Sequence, residues 1–266
     1  MPPPVGKHFR TRREKRTESE QKAYIMKISV CIPMYNESEI CREAADRLFR
    51  AMEERRGEYD YEVIFCDDGS GDGTAEILRE HIADSGYKNL RVIGYENNRG
   101  KGAAVREAVL HTDGDCVVYT DCDLAYGTDV IFTAAELTAG GAAFAVGSRN
   151  LDPDGYGEYT PLRRAASKIY IKVIALCAGF RLSDSQCGFK AFDGDTARRI
   201  FSLCTTDGFS FDLEVIKIAQ KMGIKICEMP VKVLNHRASK IHLARDAVKM
   251  LSDVRKIRKK VKKLNI

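Results

Sequence analysis

The sequence predicts an α/β fold, a mostly parallel twisted sheet with helices on both faces. Two observations lead there. From Lys27 onward, short β-rich runs alternate with helical stretches at the spacing of strand–helix–strand units. Acidic and glycine-rich clusters at 67–73 and 121–123 directly follow predicted strands, and right-handed crossovers gather such strand ends along one edge, where open sheets bind ligands.

Lys27 to Pro33 reads as a buried strand, Glu37 to Glu54 as a helix, Tyr61 to Asp67 as a strand and Gly73 to Asp84 as a helix. Leu90 to Tyr95, Gly102 to His111, Asp115 to Thr120, Asp129 to Leu137 and Ala142 to Gly147 continue the alternation. A polar loop, Ser148 to Tyr159, leads into a helix from Pro161 to about Ala178, with proline where its missing N–H costs little. Cys187 to Phe192 and Ile224 to Val233 read as strands, with a helix from about Phe211 to Met222 between them. Leu243, Ala247, Met250, Val254, Ile257, Val261 and Leu264 recur at helical gaps, one apolar stripe on a helix otherwise rich in Lys and Arg.

The 266 residues suffice for one large domain or two small ones, and 44% apolar residues is an ordinary globular composition. Nine cysteines stand singly, without a C-x-x-C pair or a secretory signal, which argues against a disulfide scaffold or a zinc module. The longest apolar run, Val173 to Phe180, falls far short of the roughly 20 residues a bilayer span needs. The net charge of +5 conceals an asymmetry: residues 1–26 carry +4, residues 27–231 carry −9 and residues 232–266 carry +10. Residues 1–25, with three prolines and almost no apolar periodicity, are expected to be a disordered basic extension. The folded body is expected over 26–236, and a basic amphipathic helix over 237–266.

Asp121 and Asp123 follow the apolar run Cys116 to Tyr119. Residues two apart in extended backbone project to one side, so both carboxylates can converge on a hard cation such as Mg²⁺ or Mn²⁺. Asp67 to Gly73 reads as a glycine-rich turn with Asp72 capping the next helix. It is no calcium loop, since Arg79 stands where a bidentate Glu is required, and Asp67 or Asp68 is left to accept hydrogen bonds from a base or ribose. Asn97 to Arg106 satisfies neither named phosphate motif, lacking the Ser or Thr after Gly-Lys and carrying Val105 in place of a third glycine. Its two glycines, helix start and Arg99, Lys101 and Arg106 still suggest a cradle for part of a nucleotide. The five histidines form no metal-ligand spacing, and Cys122 reads as a small packed residue.

In order, Val30-Cys31-Ile32-Pro33-Met34-Tyr35-Asn36-Glu37, Asp67-Asp68-Gly69-Ser70, Asn98-Arg99-Gly100-Lys101-Gly102 and Asp121-Cys122-Asp123 resemble the family 2 inverting glycosyltransferases of GT-A fold. Gly147-Ser148-Arg149, Asp184 to Lys190, Phe211 to Glu214 and Ser239-Lys240 narrow the resemblance to the dolichyl-phosphate glucose and mannose synthases, glucose type closest, over roughly residues 27–260. The resemblance implies nucleotide contacts at Pro33, Tyr35, Glu37 and Asp68, and metal ligands at Asp121 and Asp123. It implies acceptor-phosphate contacts at Arg149 and at Arg163 or Arg164, with Lys240 near the phosphates. The third ligand of mannose-type relatives, a Gln, is replaced here by Ala125.

The implied activity is transfer of a hexose, glucose before mannose, from UDP-glucose or GDP-mannose to a polyprenyl phosphate with inversion. A phosphate monoester is already anionic near neutral pH and needs cationic positioning more than a base, which suits Arg149, Arg163 and Arg164. Asp184, Asp212 and Glu214 would then bind hexose hydroxyls or organise the arginines; with a sugar acceptor, one of them would be the general base. The terminal helix can lie in anionic headgroups, peripheral on the cytoplasmic face of a membrane, or pack on the domain or on a second subunit as a homodimer contact. Two competing readings are a family 2 enzyme acting on a soluble sugar, glycan or polyol, and a nucleic-acid-binding protein using its basic tails. The second leaves the ordered motifs of the acidic body unexplained, so no nucleic-acid partner is expected.

Overall fold

A computed structural model of the chain describes residues 24–157, 159–234 and 243–266, with side chains of the last helix from 252 onward. The expected extension at 1–25 therefore lies outside the described residues apart from Tyr24 and Ile25, and so does Lys240.

Seven strands form one sheet in the order β3-β2-β1-β4-β6-β5-β7. The strands are β1 (Met26–Met34), β2 (Tyr59–Asp68), β3 (Leu90–Tyr95), β4 (Cys116–Tyr119), β5 (Phe144–Ser148), β6 (Lys190–Asp193) and β7 (Ile226–Pro230). The helices are α1 (Cys41–Glu54), α2 (Thr74–Ser85), α3 (Lys101–Leu110), α4 (Asp129–Ala139), α5 (Pro161–Ala178), α6 (Gly194–Leu203), α7 (Phe211–Lys221) and α8 (Leu243–Lys263).

Alternation along the strands divides the core. In β1, Ile28, Val30 and Ile32 pack with Leu48 of α1 and Ile131 of α4, while Cys31, with Ile64 of β2, turns to the layer of α3, α6, α7 and α8.

Two features depart from the expected alternation. α6 occupies 194–203, where no helix was expected; Asp193 caps it, accepting from the Thr196 N–H at 3.1 Å. β6 runs antiparallel to both β4 and β5, pairing Tyr119 with Lys190. The reversal matters for the site, because the segment entering β6 crosses the carboxyl edge of β4 and β5 and brings residues 184–190 there.

The described part of the α8 stripe, from Val254 onward, packs on the domain. Val254, Ile257 and Val261 are buried in the same core as Ile174 of α5 and Val215 of α7. Buried apolar side chains of this size contribute about 1.5–3 kcal/mol each, so this part of the stripe is committed to the protein and not to lipid.

Candidate active site

The loops after β1, β2 and β3 are latched to one another. Asn36, in the left-handed region at φ 54°, receives a hydrogen bond from the Gly71 N–H at 3.0 Å on its Oδ1, and its own N–H donates to Ser70 Oγ at 2.9 Å. The Glu37 N–H donates to Thr74 Oγ1 at 2.9 Å, so Tyr35 and Glu37 sit on a braced turn just beyond β1, in which Pro33 pairs with Cys66, and Tyr35 is half exposed. Asp72 does not cap α2 as expected: the cap position is Gly73, in the left-handed region at φ 81° and without a side-chain cap, and Asp72 just before it accepts from the Thr74 N–H at 3.1 Å. Burial alone would raise the Asp72 carboxyl, but the bonds from Thr74 and Ser38 outweigh it and bring it down to about 2.

Asp67 and Asp68 are both buried. Asp67 takes the Ser70 N–H at 3.0 Å and the Ser70 hydroxyl at 2.6 Å. Asp68 accepts from Tyr95 Oη at 2.7 Å, Asn98 Nδ2 at 2.9 Å, Arg99 N at 2.9 Å and Gly100 N at 2.9 Å. The expectation that Asp68 offers its carboxylate to a base or ribose is thus replaced by one in which it builds the β3–α3 turn.

The cradle expected around Arg106 is also corrected. A Cβ at Gly100 would stand 2.6 Å from the Asp207 carbonyl oxygen, and one at Gly102 would stand 2.5 Å from that of Thr206. The glycines make room for protein backbone, Ala103 N donates to the Asp207 carbonyl at 3.2 Å, and Arg106 Nη2 binds the Asp207 carboxylate at 2.5 Å. Lys101 stays on the site and pairs with Asp121. Burial pulls the Lys101 ammonium down, but Asp121, Asp212 and Asp123 outweigh it and raise its pKa.

Asp121 and Asp123 lie on a turn just beyond β4, closed by Leu124 N on the Asp121 carbonyl at 3.0 Å, and not in the extended backbone expected from their spacing. The two carboxylates are still close enough for the Asp121 charge to act on Asp123. Asp123 accepts a 3.1 Å bond from Ala125 N, and burial followed by the neighbouring Asp121 charge pushes its carboxyl up. Crowded oxygen donors of this kind fit a hard divalent cation. Among the described residues no group of three or more His, Cys, Asp or Glu could hold a metal. Asp121 and Asp123 alone of the described residues would be the ion's side-chain ligands, and the Ala125 carbonyl receives Leu234 N at 2.7 Å. Gly188 abuts this pair, since a Cβ there would lie 2.5 Å from Asp121 Oδ2.

Beyond Gly188 the charge changes sign. Its N–H donates to Tyr126 Oη at 3.4 Å, and Tyr126 neighbours Arg149. Arg149 grips Asp184 in bidentate fashion, Nε to Oδ2 at 2.6 Å and Nη2 to Oδ1 at 3.0 Å. Around the buried Tyr156 ring stand three cations: Arg149 at 5.3 Å, Arg164 at 5.4 Å and Lys168 at 5.6 Å from its centroid. Arg164 is held there by the Pro153 carbonyl at 2.9 Å, whereas Arg163 lies over the next ring, Tyr159, at 4.3 Å. Of the adjacent arginines it is Arg164 that shares a ring with Arg149. Lys168 had no role in the sequence reading, although its position one turn beyond Arg164 places the two on one helix face.

The other acids are taken. Asp184 serves Arg149. Asp212 accepts from Tyr119 Oη at 2.5 Å and from the fully buried Lys190 Nζ at 2.6 Å. Glu214 holds Thr206 N at 2.7 Å, Thr205 N at 3.0 Å and Lys260 Nζ of α8 at 2.5 Å. Lys190 was overlooked as a charge partner because a strand lysine ordinarily signals solvent.

Residues 29–201 match the family model for glycosyl transferase family 2. The chain belongs to that family. A dolichyl-phosphate beta-glucosyltransferase of Dictyostelium discoideum is 31% identical over 241 residues, covering 87% of this chain and 73% of that protein. The enzyme of the same name from Homo sapiens is 31% identical over 229 residues, covering 80% and 69%. Among solved structures, glucosyl-3-phosphoglycerate synthase from Mycobacterium tuberculosis with Mn²⁺, UDP and phosphoglyceric acid aligns with a TM-score of 0.62 at 16% identity, covering 94% of this chain and 82% of that one. Mannosyl-3-phosphoglycerate synthase from Rubrobacter xylanophilus aligns with a TM-score of 0.58 at 18% identity, covering 91% and 76%. At these identities the likeness establishes the fold, which is GT-A.

Proposed function

We propose that this protein transfers glucose from UDP-glucose to a polyprenyl phosphate of the dolichyl kind, by single displacement with inversion, using Mg²⁺ or Mn²⁺. The observation that carries this reading is the pairing of each candidate general base with a cation, Asp184 with Arg149, Asp212 with Lys190 and Glu214 with Lys260. A sugar hydroxyl would need a free base; a phosphate monoester attacks as the anion it already is.

The cations over Tyr156 position that anion. Arg149, fixed by Asp184, and Arg164, fixed by Pro153, meet the acceptor phosphate, with Lys168 adding charge. Asp121 and Asp123 would hold the divalent ion, which when bound would supply positive charge to neutralise that building on the leaving diphosphate. Lys101, beside Asp121, is placed to share that neutralisation. The β1–α1 turn with Pro33, Tyr35 and Glu37 receives the nucleoside, and Asp67 and Asp68 shape the loops beneath it. Support also comes from relatives named for glucose transfer to dolichyl phosphate and from a neighbour of like fold crystallised with Mn²⁺, UDP-glucose and phosphoglyceric acid, a phosphate-bearing acceptor. On this reading the protein works at the cytoplasmic face of a membrane; no described helix is long and apolar enough to cross one.

The test is a donor panel with a polyprenyl phosphate and Mg²⁺ or Mn²⁺. Lipid-linked glucose of inverted configuration is expected, with UDP-glucose preferred over GDP-mannose. Donor turnover without any lipid-linked sugar would move the acceptor to a soluble compound.

A further inference from the structure

Two helices carry apolar stripes, and they differ in what covers them. The stripe of α8 is buried through Val254, Ile257 and Val261. On α5 the reverse holds: Leu162 is 82% exposed, Ile169 64%, Val173 42% and Leu176 83%. These are four of the eleven large apolar side chains exposed among the described residues, so exposure is concentrated on this helix. At 100° per residue the four fall within a stripe about 60° wide that runs its length. The opposite face, with Ile171, Ile174 and Ala178, enters the core.

Charge decides what fits the stripe. α5 carries Arg163, Arg164, Lys168 and Lys172 and no acidic residue. Lysines beside an apolar stripe complement anionic headgroups above acyl chains. A second copy of this face would bring like charges together, and so would the basic N-terminal segment. The stripe is also continuous with the cations over Tyr156, since Arg164 and Lys168 project from the same helix.

We propose that α5, and not α8, is the face this protein lays on an anionic lipid surface, with Leu162, Ile169, Val173 and Leu176 at the headgroup–acyl boundary. The Arg149–Arg164–Lys168 cluster then sits at the depth where a lipid-borne phosphate arrives, a consequence that rests on the acceptor reading given above.

The test uses the full chain and vesicles of phosphatidylcholine with phosphatidylserine. Wild type is expected to co-sediment with them, and Leu162→Gln with Leu176→Gln to weaken binding by about tenfold per leucine. Lys256→Gln with Lys259→Gln, on the solvent face of α8, is expected to bind nearly as wild type. A polarity-sensitive fluorophore on the exposed Cys177, near the end of the stripe, should shift to the blue on the same vesicles. The proposal is overturned by a wild type that ignores the vesicles, by a leucine variant that binds unchanged, or by a dimer in sedimentation that the leucine variant splits. Turnover of a short, water-soluble polyprenyl phosphate without vesicles separates the two readings. A leucine variant active on it but inactive on vesicle-borne acceptor supports the docking face. Wild type that transfers to it yet fails to bind vesicles sinks the docking face alone, and vesicle binding without transfer to any polyprenyl phosphate sinks the acceptor reading alone.

Discussion

The ends of β2 and β4 carry nearly the same signal, an apolar strand followed by two acids, and the folded chain uses them in opposite ways. Asp68 is filled by a tyrosine hydroxyl, an amide and two backbone N–H groups. Asp123 is desolvated and then crowded by Asp121, and its carboxyl is pushed up. The number of donors reaching a carboxylate from its own chain separates the two roles. Satisfied acids are scaffold, while crowded ones leave a demand that an external cation meets.

The largest effect should come from the β4 pair. Asp121→Asn or Asp123→Asn is expected to lower transfer on the order of 100- to 1000-fold without loss of folding, measured as initial rate beside thermal melting. For Asp123 the sign can be worked out: a carboxyl with a raised folded pKa destabilises the native state once ionised, and that penalty vanishes below its unfolded pKa. Asp123→Asn should therefore raise the melting temperature near pH 7 and leave it unchanged near pH 3. Asp68→Ala should do the converse at β2. It strands the Arg99 and Gly100 N–H groups, so unfolding in urea should show a loss of about 3 kcal/mol. An Asp68→Ala protein of wild-type stability that has lost only nucleotide affinity would reverse the comparison.

This contrast also marks how far the sequence could be read. The alternating strands were legible from periodicity, and so was the placing of two acids just past an apolar strand, although Asp121 and Asp123 meet on a turn beyond β4 and not in extended backbone. The reversal of β6 was not, since no local pattern distinguishes a parallel from an antiparallel strand of four residues. With it the sequence hid the approach of Gly188 to Asp121 and the pairing of Lys190 with Asp212. Gly100 and Gly102 were misread for a related reason: a glycine signals close approach, but the approaching group, here the backbone of Thr206 and Asp207, lies about a hundred residues away in the chain. The stripe of α8 was legible as a stripe, and only its contacts with α5 and α7 tell which surface it serves.

The cationic side of the site gives a smaller effect than the acidic side. Arg149→Lys keeps the charge but loses the bidentate grip on Asp184, so kcat/KM for the acceptor should fall about tenfold, with the donor KM unchanged. An equal change in both constants would mean that the two halves are not separate. Gly188→Ala brings a methyl group against Asp121 Oδ2 and should raise the metal concentration for half-maximal activity several-fold while leaving the acceptor KM in place.

The smallest effect tests the satisfied class at its far end, where Glu214 ties the 204–206 segment to α8 through Lys260. Burial alone would raise the Glu214 carboxyl, but Lys260, Thr206, Cys204 and Thr205 outweigh it and the pKa is lowered. A group with a depressed folded pKa contributes stability that is complete above its unfolded value, near 4.3, and is lost as pH falls through the folded one. Lys260→Gln removes one of those donors and exposes no new apolar surface. It should cost about 1 kcal/mol at pH 7, a fall of about 3 °C in melting temperature, and the difference from wild type should close below pH 4. A difference that persists undiminished at pH 3 would show that Lys260 acts through packing on α7, and Glu214 would then hold the 204–206 segment without help from the terminal helix.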